Sequence, residues 1–167
     1  MRLIELDAAT DSARYKDFIL QGLRAHPAAF RISPADEATE PFPTTGVADS
    51  FTLAAEDEAS GKLLGAVSFK RGEANREKLR HKGLLFRMYV DERAQGQGIG
   101  RALVEALLVR VQALGNVRQI NLTVVASNAP ARNLYLKLGF VSFSLERDAV
   151  AHGDEFLDEE SMVLRLL

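Results

Sequence analysis

The run Gln95-Gly96-Gln97-Gly98-Ile99-Gly100-Arg101 combines residue types and a spacing that can do chemistry. Closely spaced glycines let a backbone approach a ligand, and the first N–H groups of a following helix have no internal partner. With the positive end of the helix dipole added, such a turn is a seat for phosphate. The spacing narrows the kind of phosphate site. Glycines at 96, 98 and 100 do not match G-x-G-x-x-G, and no Lys-Ser/Thr pair follows, which excludes the ATP-binding P-loop. A dinucleotide site would also want an acidic ribose anchor about 20 residues further on, where residues 122–125 carry no acid. The pattern that fits is Q/R-x-x-G-x-G/A, through Gln95, Gly98 and Gly100.

A phosphate turn of this kind needs a strand before it and a helix after it. Residues 84–90 read as the strand. Ile99, Leu103, Leu107, Val111 and Leu114 recur every three or four residues, widened by Val104 and Leu108, and Gly115 closes that helix. Residues 119–125 read as the next strand. Asn128 is expected to cap a second helix, with Ala131, Leu134, Tyr135 and Leu138 on one side, Pro130 tolerated in its first turn and Gly139 at its end. Upstream, residues 2–6 form a strand. Thr10 or Asp11 is expected to cap a helix reaching about residue 25, and Ser33-Pro34-Ala35-Asp36 starts a short one cut off by Pro41 and Pro43. Residues 51–56 and 62–70 read as a hairpin around Ala59-Ser60-Gly61. Residues 71–83 hold five Lys/Arg against two Glu and read as a solvated loop, or as a contact for phosphate or an acidic partner. Residues 140–147 and 156–166 close the chain around Gly153. The order β, α, α, β, β, β, α, β, α, β, β implies an α/β fold, a mixed sheet with helices on its faces. With no internal repeat or linker, residues 1–167 are expected to be one domain.

Residues 128–140, Asn128-Ala129-Pro130-Ala131-Arg132-Asn133-Leu134-Tyr135-Leu136-Lys137-Leu138-Gly139-Phe140, are the second diagnostic stretch. It is similar to N-x-x-A-x-x-L-Y-x-x-x-G-F of the GNAT superfamily, the acyl-CoA-dependent N-acyltransferases, and the glycine run resembles that family's pyrophosphate loop. The two motifs stand in the family's order, 28 residues apart, and the resemblance covers about residues 84–140. It implies a mostly antiparallel central sheet flanked by helices, with acetyl-CoA as cosubstrate. Main-chain groups of Met88 and Val90 would pair with the pantetheine arm, as a peptide adds to a strand edge. Gln95, Gly96, Gln97, Gly98, Gly100 and Arg101 would hold the pyrophosphate. Asn128 would touch the pantetheine, and Ala131 and Arg132 would flank the cofactor.

Tyr135 would then be the general acid, since a phenol is protonated at neutral pH and can donate to a departing thiolate; otherwise it is a core tyrosine of an amphipathic helix. A base is not assigned. The strand 84–90 has no acid and carries Arg87 instead, which departs from family members with a Glu there. Asp36, Glu37 and Glu40 fall where the family borders its acceptor cleft; each also reads as a solvated or helix-start charge. Strict alternation puts Arg87 on one face with Leu85 and Tyr89, where it could meet an acceptor carboxylate or a salt-bridge partner. Asp158, Glu159 and Glu160 read as a solvated strand end or as an attractor for a cationic amine.

Composition narrows the partners. The 167 residues carry a net charge of −2 and a pI near 5.9, which argues against nucleic acid. The absence of cysteine removes a thiol nucleophile, so direct attack by a primary amine in a ternary complex is expected. His26, His81 and His152 show no metal-ligand spacing, and no metal is expected. A short, charged N-terminus and no apolar run near the ~20 residues of a membrane span point to a cytoplasmic protein away from membranes. The acceptor is expected to be a small-molecule amine, ahead of a protein N-terminus or lysine, because no long segment is devoted to a peptide groove. A non-catalytic acyl-CoA-binding module is the alternative class, and pairing into a homodimer stays open.

Overall fold

Residues 51–56 and 63–71 are apolar or small at nearly every position, the pattern of strands covered on both faces. Two cores result. Phe51, Leu53, Val67, Phe69 and Leu85 pack against one layer of helix, while Ala54, Ala66 and Tyr89 pack against another. In the computed structural model, which describes residues 1–73 and 75–166, these strands lie in a seven-stranded sheet. The elements are β1 (Arg2–Glu5), α1 (Ala8–Ala25), α2 (Pro34–Thr39), β2 (Phe51–Glu56), β3 (Leu63–Arg71), β4 (Lys82–Val90), α3 (Ile99–Gln112), β5 (Gln119–Val125), α4 (Ala129–Lys137), β6 (Val141–His152) and β7 (Glu155–Arg165). Their order across the sheet is β1-β2-β3-β4-β5-β7-β6, and β4–β5 is the parallel pair. Tyr15, Phe18, Ile19 and Leu23 of α1 cover one face; Leu103, Leu107 and Val111 of α3, with Tyr135 of α4, cover the other.

Two irregularities of β4 prepare the site. It pairs with β5 only through Lys82–Leu84 against Gln119–Asn121, so the strands part beyond that point and leave a gap. Against β3, Phe86 pairs with Ser68 and Tyr89 with Ala66, so Val67 alone faces Arg87 and Met88. This is a β-bulge, and within it Arg87 takes a left-handed backbone, at φ 52°.

The bulge corrects the alternation expected from sequence. Leu85 belongs to the α3-side core, whereas Arg87 turns to the α1 side with Tyr89. The extra residue flips the parity of everything after it. Helix α1 is capped by Asp7 rather than Thr10 or Asp11: its Oδ1 accepts the Ala9 N–H at 2.7 Å, and Asp11 Oδ2 accepts the Asp7 N–H at 2.7 Å. Helix α2 has the expected capping box between Ser33 and Asp36. The segment 71–83 is only partly the solvated loop expected. Arg71 is buried in β3, where it donates to Asp49, to the Arg80 carbonyl and to Asn116, and β4 already begins at Lys82. Ala74, within that segment, and Leu167 lie outside the described residues. The closing hairpin is longer than expected, with Gly153 at its turn.

Candidate active site

Where β4 and β5 part, a cavity of about 660 Å³ opens between the end of β4, the glycine turn and α4. Its floor is strand backbone. The Asp91 N–H bonds the Leu64 carbonyl, so Tyr89, two residues earlier, also points its backbone groups at β3. The groups of Met88 and Val90 therefore point across the gap. One of them is engaged: the Val90 carbonyl accepts the Gln95 side-chain amide at 3.1 Å.

The glycine turn forms one end of the cavity. Gly98 caps α3 in the left-handed region, at φ 79°, a conformation that excludes most side chains. The first backbone bond of α3 runs from the Ala102 N–H to the Gly98 carbonyl, so the N–H groups of Ile99, Gly100 and Arg101 have no helical acceptor. Gly100 contributes in a different way. A Cβ there would stand 3.1 Å from Leu134 Cδ2 and 3.2 Å from Met88 Cε, closing the space between α3, α4 and β4. The arrangement suits an anion: free N–H groups, the helix dipole and a backbone stripped of side chains.

Helix α4 supplies the opposite wall. Asn128 caps it, its Oδ1 accepting the Ala131 N–H at 3.3 Å. Tyr135 is 4 % exposed, packs edge-on to Phe140 at 5.7 Å and lines the cavity. Burial pushes its phenol pKa up, so it stays protonated across the neutral range. Among the described residues its hydroxyl makes no hydrogen bond, which leaves the proton available to a ligand.

Met88, Val90, Gln95, Gly96, Gly98, Gly100, Arg101, Asn128, Ala131 and Tyr135 are thus brought together around one space. Gln97 and Arg132 are not. The Gln97 side-chain amide donates back to the Arg93 carbonyl at 3.4 Å, and Arg132 is turned to β7, donating to Glu160 at 2.6 and 3.3 Å. Sequence reasoning missed the third wall. His26, Ala29 and Phe30, around a short 3-10 turn at Pro27–Ala29, lean over the gap from the α1 side. His26 caps the end of α1, 3.3 Å from Glu92, and Phe30 packs against Tyr89 at 5.7 Å between ring centroids. No spacing rule marks these residues; an aromatic in the connection between the first two helices was the sign available.

The α1-side face of the sheet carries a buried polar cluster. Glu37 is fully buried and accepts from Arg87, which also reaches Glu40 at 3.4 Å. Glu37 is therefore not the solvated acid that its place in a helix start suggests, and Asp36 is spent on the α2 cap. The Tyr15 hydroxyl and Glu37 Oε1 are buried beside this pair with no hydrogen-bond partner, and Thr52 and Ser68 share a bond of 2.8 Å nearby. Among the described residues, no three His, Cys, Asp or Glu side chains gather as a metal site, and no helix is long and apolar enough to cross a membrane.

A gap between parallel strands, an anion seat at a helix start and a buried phenol beside it are the parts an acyl-CoA enzyme needs. The Acetyltransferase (GNAT) family model matches residues 20–140. The chain belongs to the GNAT acetyltransferase family. Solved structures agree on the GNAT fold. A GNAT-family acetyltransferase from Streptococcus pneumoniae superposes with a TM-score of 0.80 at 23% identity, covering 99% of both chains. The protein yncA from Salmonella typhimurium, solved with its cofactor acetyl-CoA, gives 0.80 at 22% identity, covering 100% of this chain and 94% of the other. Among curated proteins, the chain is 37% identical over 93 residues to the mycothiol acetyltransferase of Actinosynnema mirum, covering 56% of this chain and 28% of the relative. It is 32% identical over 103 residues to an N-alpha-acetyltransferase of Sulfurisphaera tokodaii, covering 59% and 62%. Over 64 residues it is 44% identical to the [ribosomal protein bS18]-alanine N-acetyltransferase of Escherichia coli, covering 38% and 43%. The matched GNAT regions thus span between about a quarter and three fifths of the length of these relatives.

Proposed function

We propose that this chain, acting as one domain, transfers the acetyl group of acetyl-CoA to a primary amine by direct attack within a ternary complex. The observation that carries the reading is the pairing of the free α3 N-terminus with the Tyr135 phenol across one cavity. The residues present fit the group: three N–H donors without helical acceptors suit a pyrophosphate, the open edge of β4 suits the amide-bearing pantetheine, and a Cβ at Gly100 would fill the cradle.

When bound, acetyl-CoA supplies an activated thioester. Backbone groups of Met88 and Val90 hold the arm extended along β4, Gly96, Gly98, Gly100 and Arg101 hold the phosphates, and Asn128 and Ala131 border the arm from α4. A β4 N–H beside the bulge donates to the carbonyl oxygen that becomes negative as the amine nitrogen adds. Tyr135 gives its proton to the sulfur as the C–S bond breaks, and burial suits it to that role by keeping it neutral until then. With no cysteine in the chain, no acetyl-thiol enzyme lies on the route. The amine loses its proton to water, since Glu37 is committed to Arg87.

The acceptor in this reading is a small-molecule amine. Relatives named for mycothiol and for spermine/spermidine support it. A protein N-terminus is the second reading, favoured by the relatives named as N-alpha- and bS18-alanine acetyltransferases. Calorimetric titration with acetyl-CoA, against ATP and NADH, tests the foundation. Saturable binding of acetyl-CoA alone, followed by thiol release with amines, is the expected result; folded, ligand-free protein that does not bind acetyl-CoA would reduce the glycine turn to a connection.

A further inference from the structure

Among the described residues five carboxylates are buried: Glu37, Glu56, Asp91, Glu159 and Glu160. A buried charge is costly unless a partner neutralises it and fills its hydrogen-bonding sites. Three of the five meet that condition fully, and Glu37 in part: it accepts from Arg87 through Oε2, while its Oε1 has no partner among the described residues. Glu56 accepts from Arg2 at 3.0 and 2.7 Å and from Arg14 at 2.7 Å. Asp91 accepts from the Arg93 side chain at 2.7 and 3.1 Å, and Glu160 from Arg132 at 2.6 and 3.3 Å.

Among the described residues, Glu159 differs from the other four in lacking any side-chain hydrogen bond, although its side chain is 6 % exposed. Its one cationic neighbour is Arg31, whose Nε lies 3.2 Å away without hydrogen-bonding alignment and whose side chain is 62 % exposed. Glu146 makes matters worse, because it stands directly opposite Glu159 in the β6–β7 register. Paired positions of an antiparallel ladder put their side chains on the same face, where like charges repel. The two carboxylates together ask for a cation, and the described residues offer one loosely held guanidinium.

Position ties this deficit to the cavity. Glu159 pairs with Val125 at the end of β5, on the face away from the α3-side core. Arg31 follows Phe30, which lines the cavity. Arg31 and Glu159 do not line the cavity themselves; their contact lies beside it, one residue beyond Phe30 and opposite Val125 at the end of β5. The α1 side also carries Glu37 and Glu40 around the single guanidinium of Arg87. With Arg31 swung into solvent, Glu159 would be left facing Glu146.

We propose that Glu159 receives a second cationic group of the acceptor, and that Arg31 is the internal stand-in which this group displaces. The acceptor class is then a primary amine carrying another ammonium or guanidinium, in preference to one carrying a carboxylate. The inference rests on the acetyltransferase reading above. Displacing Arg31 is undemanding because its own side chain is 62 % exposed and returns to water, while the incoming cation keeps the buried Glu159 neutralised.

Three probes of one length test it in a thiol-release assay with acetyl-CoA: 1,5-diaminopentane, n-pentylamine and 5-aminopentanoate. The expected kcat/KM falls in that order, by at least tenfold from first to last. In Glu159→Gln the KM for 1,5-diaminopentane rises at least tenfold, several times more than that for n-pentylamine, while kcat changes less than threefold. In Arg31→Ala, an exposed change that leaves the core alone, the KM for 1,5-diaminopentane falls at least threefold. Preference for 5-aminopentanoate, an equal effect of Glu159→Gln on all three probes, or an unchanged KM in Arg31→Ala would overturn the inference. Calorimetry with acetyl-CoA separates the two levels. Wild-type protein that fails to bind acetyl-CoA removes the acetyltransferase reading itself, whereas protein that binds it and acetylates none of the probes removes this inference alone.

Discussion

On the sheet face carrying α3 and α4, the cavity is built from two short stretches, residues 88–101 and 128–137, and much of its lining is backbone. On the face carrying α1 and α2, the polar groups come from five distant segments: Glu37, Thr52, Ser68, Arg87 and Glu159. There, side chains meet across 16 residues of chain in the Thr52–Ser68 hydroxyl contact and across 50 in the Glu37–Arg87 ion pair. The first face presents main-chain donors whose geometry any sequence with the right glycines reproduces. The second presents side chains whose meaning depends on their partners. A fold divided in this way can keep one cosubstrate while its acceptor changes.

The largest expected effect tests whether the two faces are energetically independent. Glu37→Ala leaves the Arg87 guanidinium, 12 % exposed, without its principal partner, and should destabilise the protein by about 3–5 kcal/mol in denaturant unfolding. Adding Arg87→Met should recover much of that loss. At a temperature where the single variant is still folded, its affinity for acetyl-CoA should match wild type; a parallel loss would show that the bulge couples the faces.

Next in size is Tyr135→Phe, which keeps the packing against Phe140 and removes one proton. A fall in kcat of about 10²–10³ is expected from the loss of a general acid, with acetyl-CoA affinity within twofold by calorimetry. A fall in affinity of the same size would instead make Tyr135 a wall of the cavity.

Gly100→Val sharpens the α3-side half of the comparison. Its Cβ would press on Leu134 and Met88 and its methyl groups would enter the cradle. Acetyl-CoA binding should weaken by about tenfold or more, or at least ~1.4 kcal/mol, while α3 itself persists by circular dichroism.

The smallest effect concerns acid stability. Hydrogen bonds from Arg132 hold the Glu160 carboxyl below its ordinary value of 4.5, against the opposing effect of burial. A depressed carboxyl contributes stability that is present above the unfolded value and is lost as pH falls through the folded one. Glu160→Gln keeps an acceptor for Arg132, so it should cost about 1 kcal/mol at pH 7 and flatten the loss of stability measured below pH 4.5.

What could be read in advance follows from how far apart the deciding residues lie. The glycine turn and the α4 stretch were legible because their geometry is set within a few residues: Gly98 by its own φ, Asn128 by a bond to Ala131. The α1 cap was misplaced by a few residues because several acceptors, Asp7, Thr10 and Asp11, compete for the same free N–H groups. Arg71 looked like one of several loop charges, yet its partners Asp49 and Asn116 are far away in sequence and only the fold brings them to it.

The sequence alone therefore determined the order of elements, the glycine turn that leaves three N–H groups free, and the presentation of Tyr135 from the helix after β5. Local spacing dictates these, because backbone dihedrals and helix starts depend on near neighbours. Only the tertiary structure decided that Arg87 turns away from Leu85, that His26 and Phe30 close the cavity, and that Glu160 is satisfied while Glu159, one residue before it, is not. One inserted residue in β4 reverses every later side chain, and adjacent residues of β7 face opposite sides of the sheet, so their partners are fixed by which helix or loop packs there.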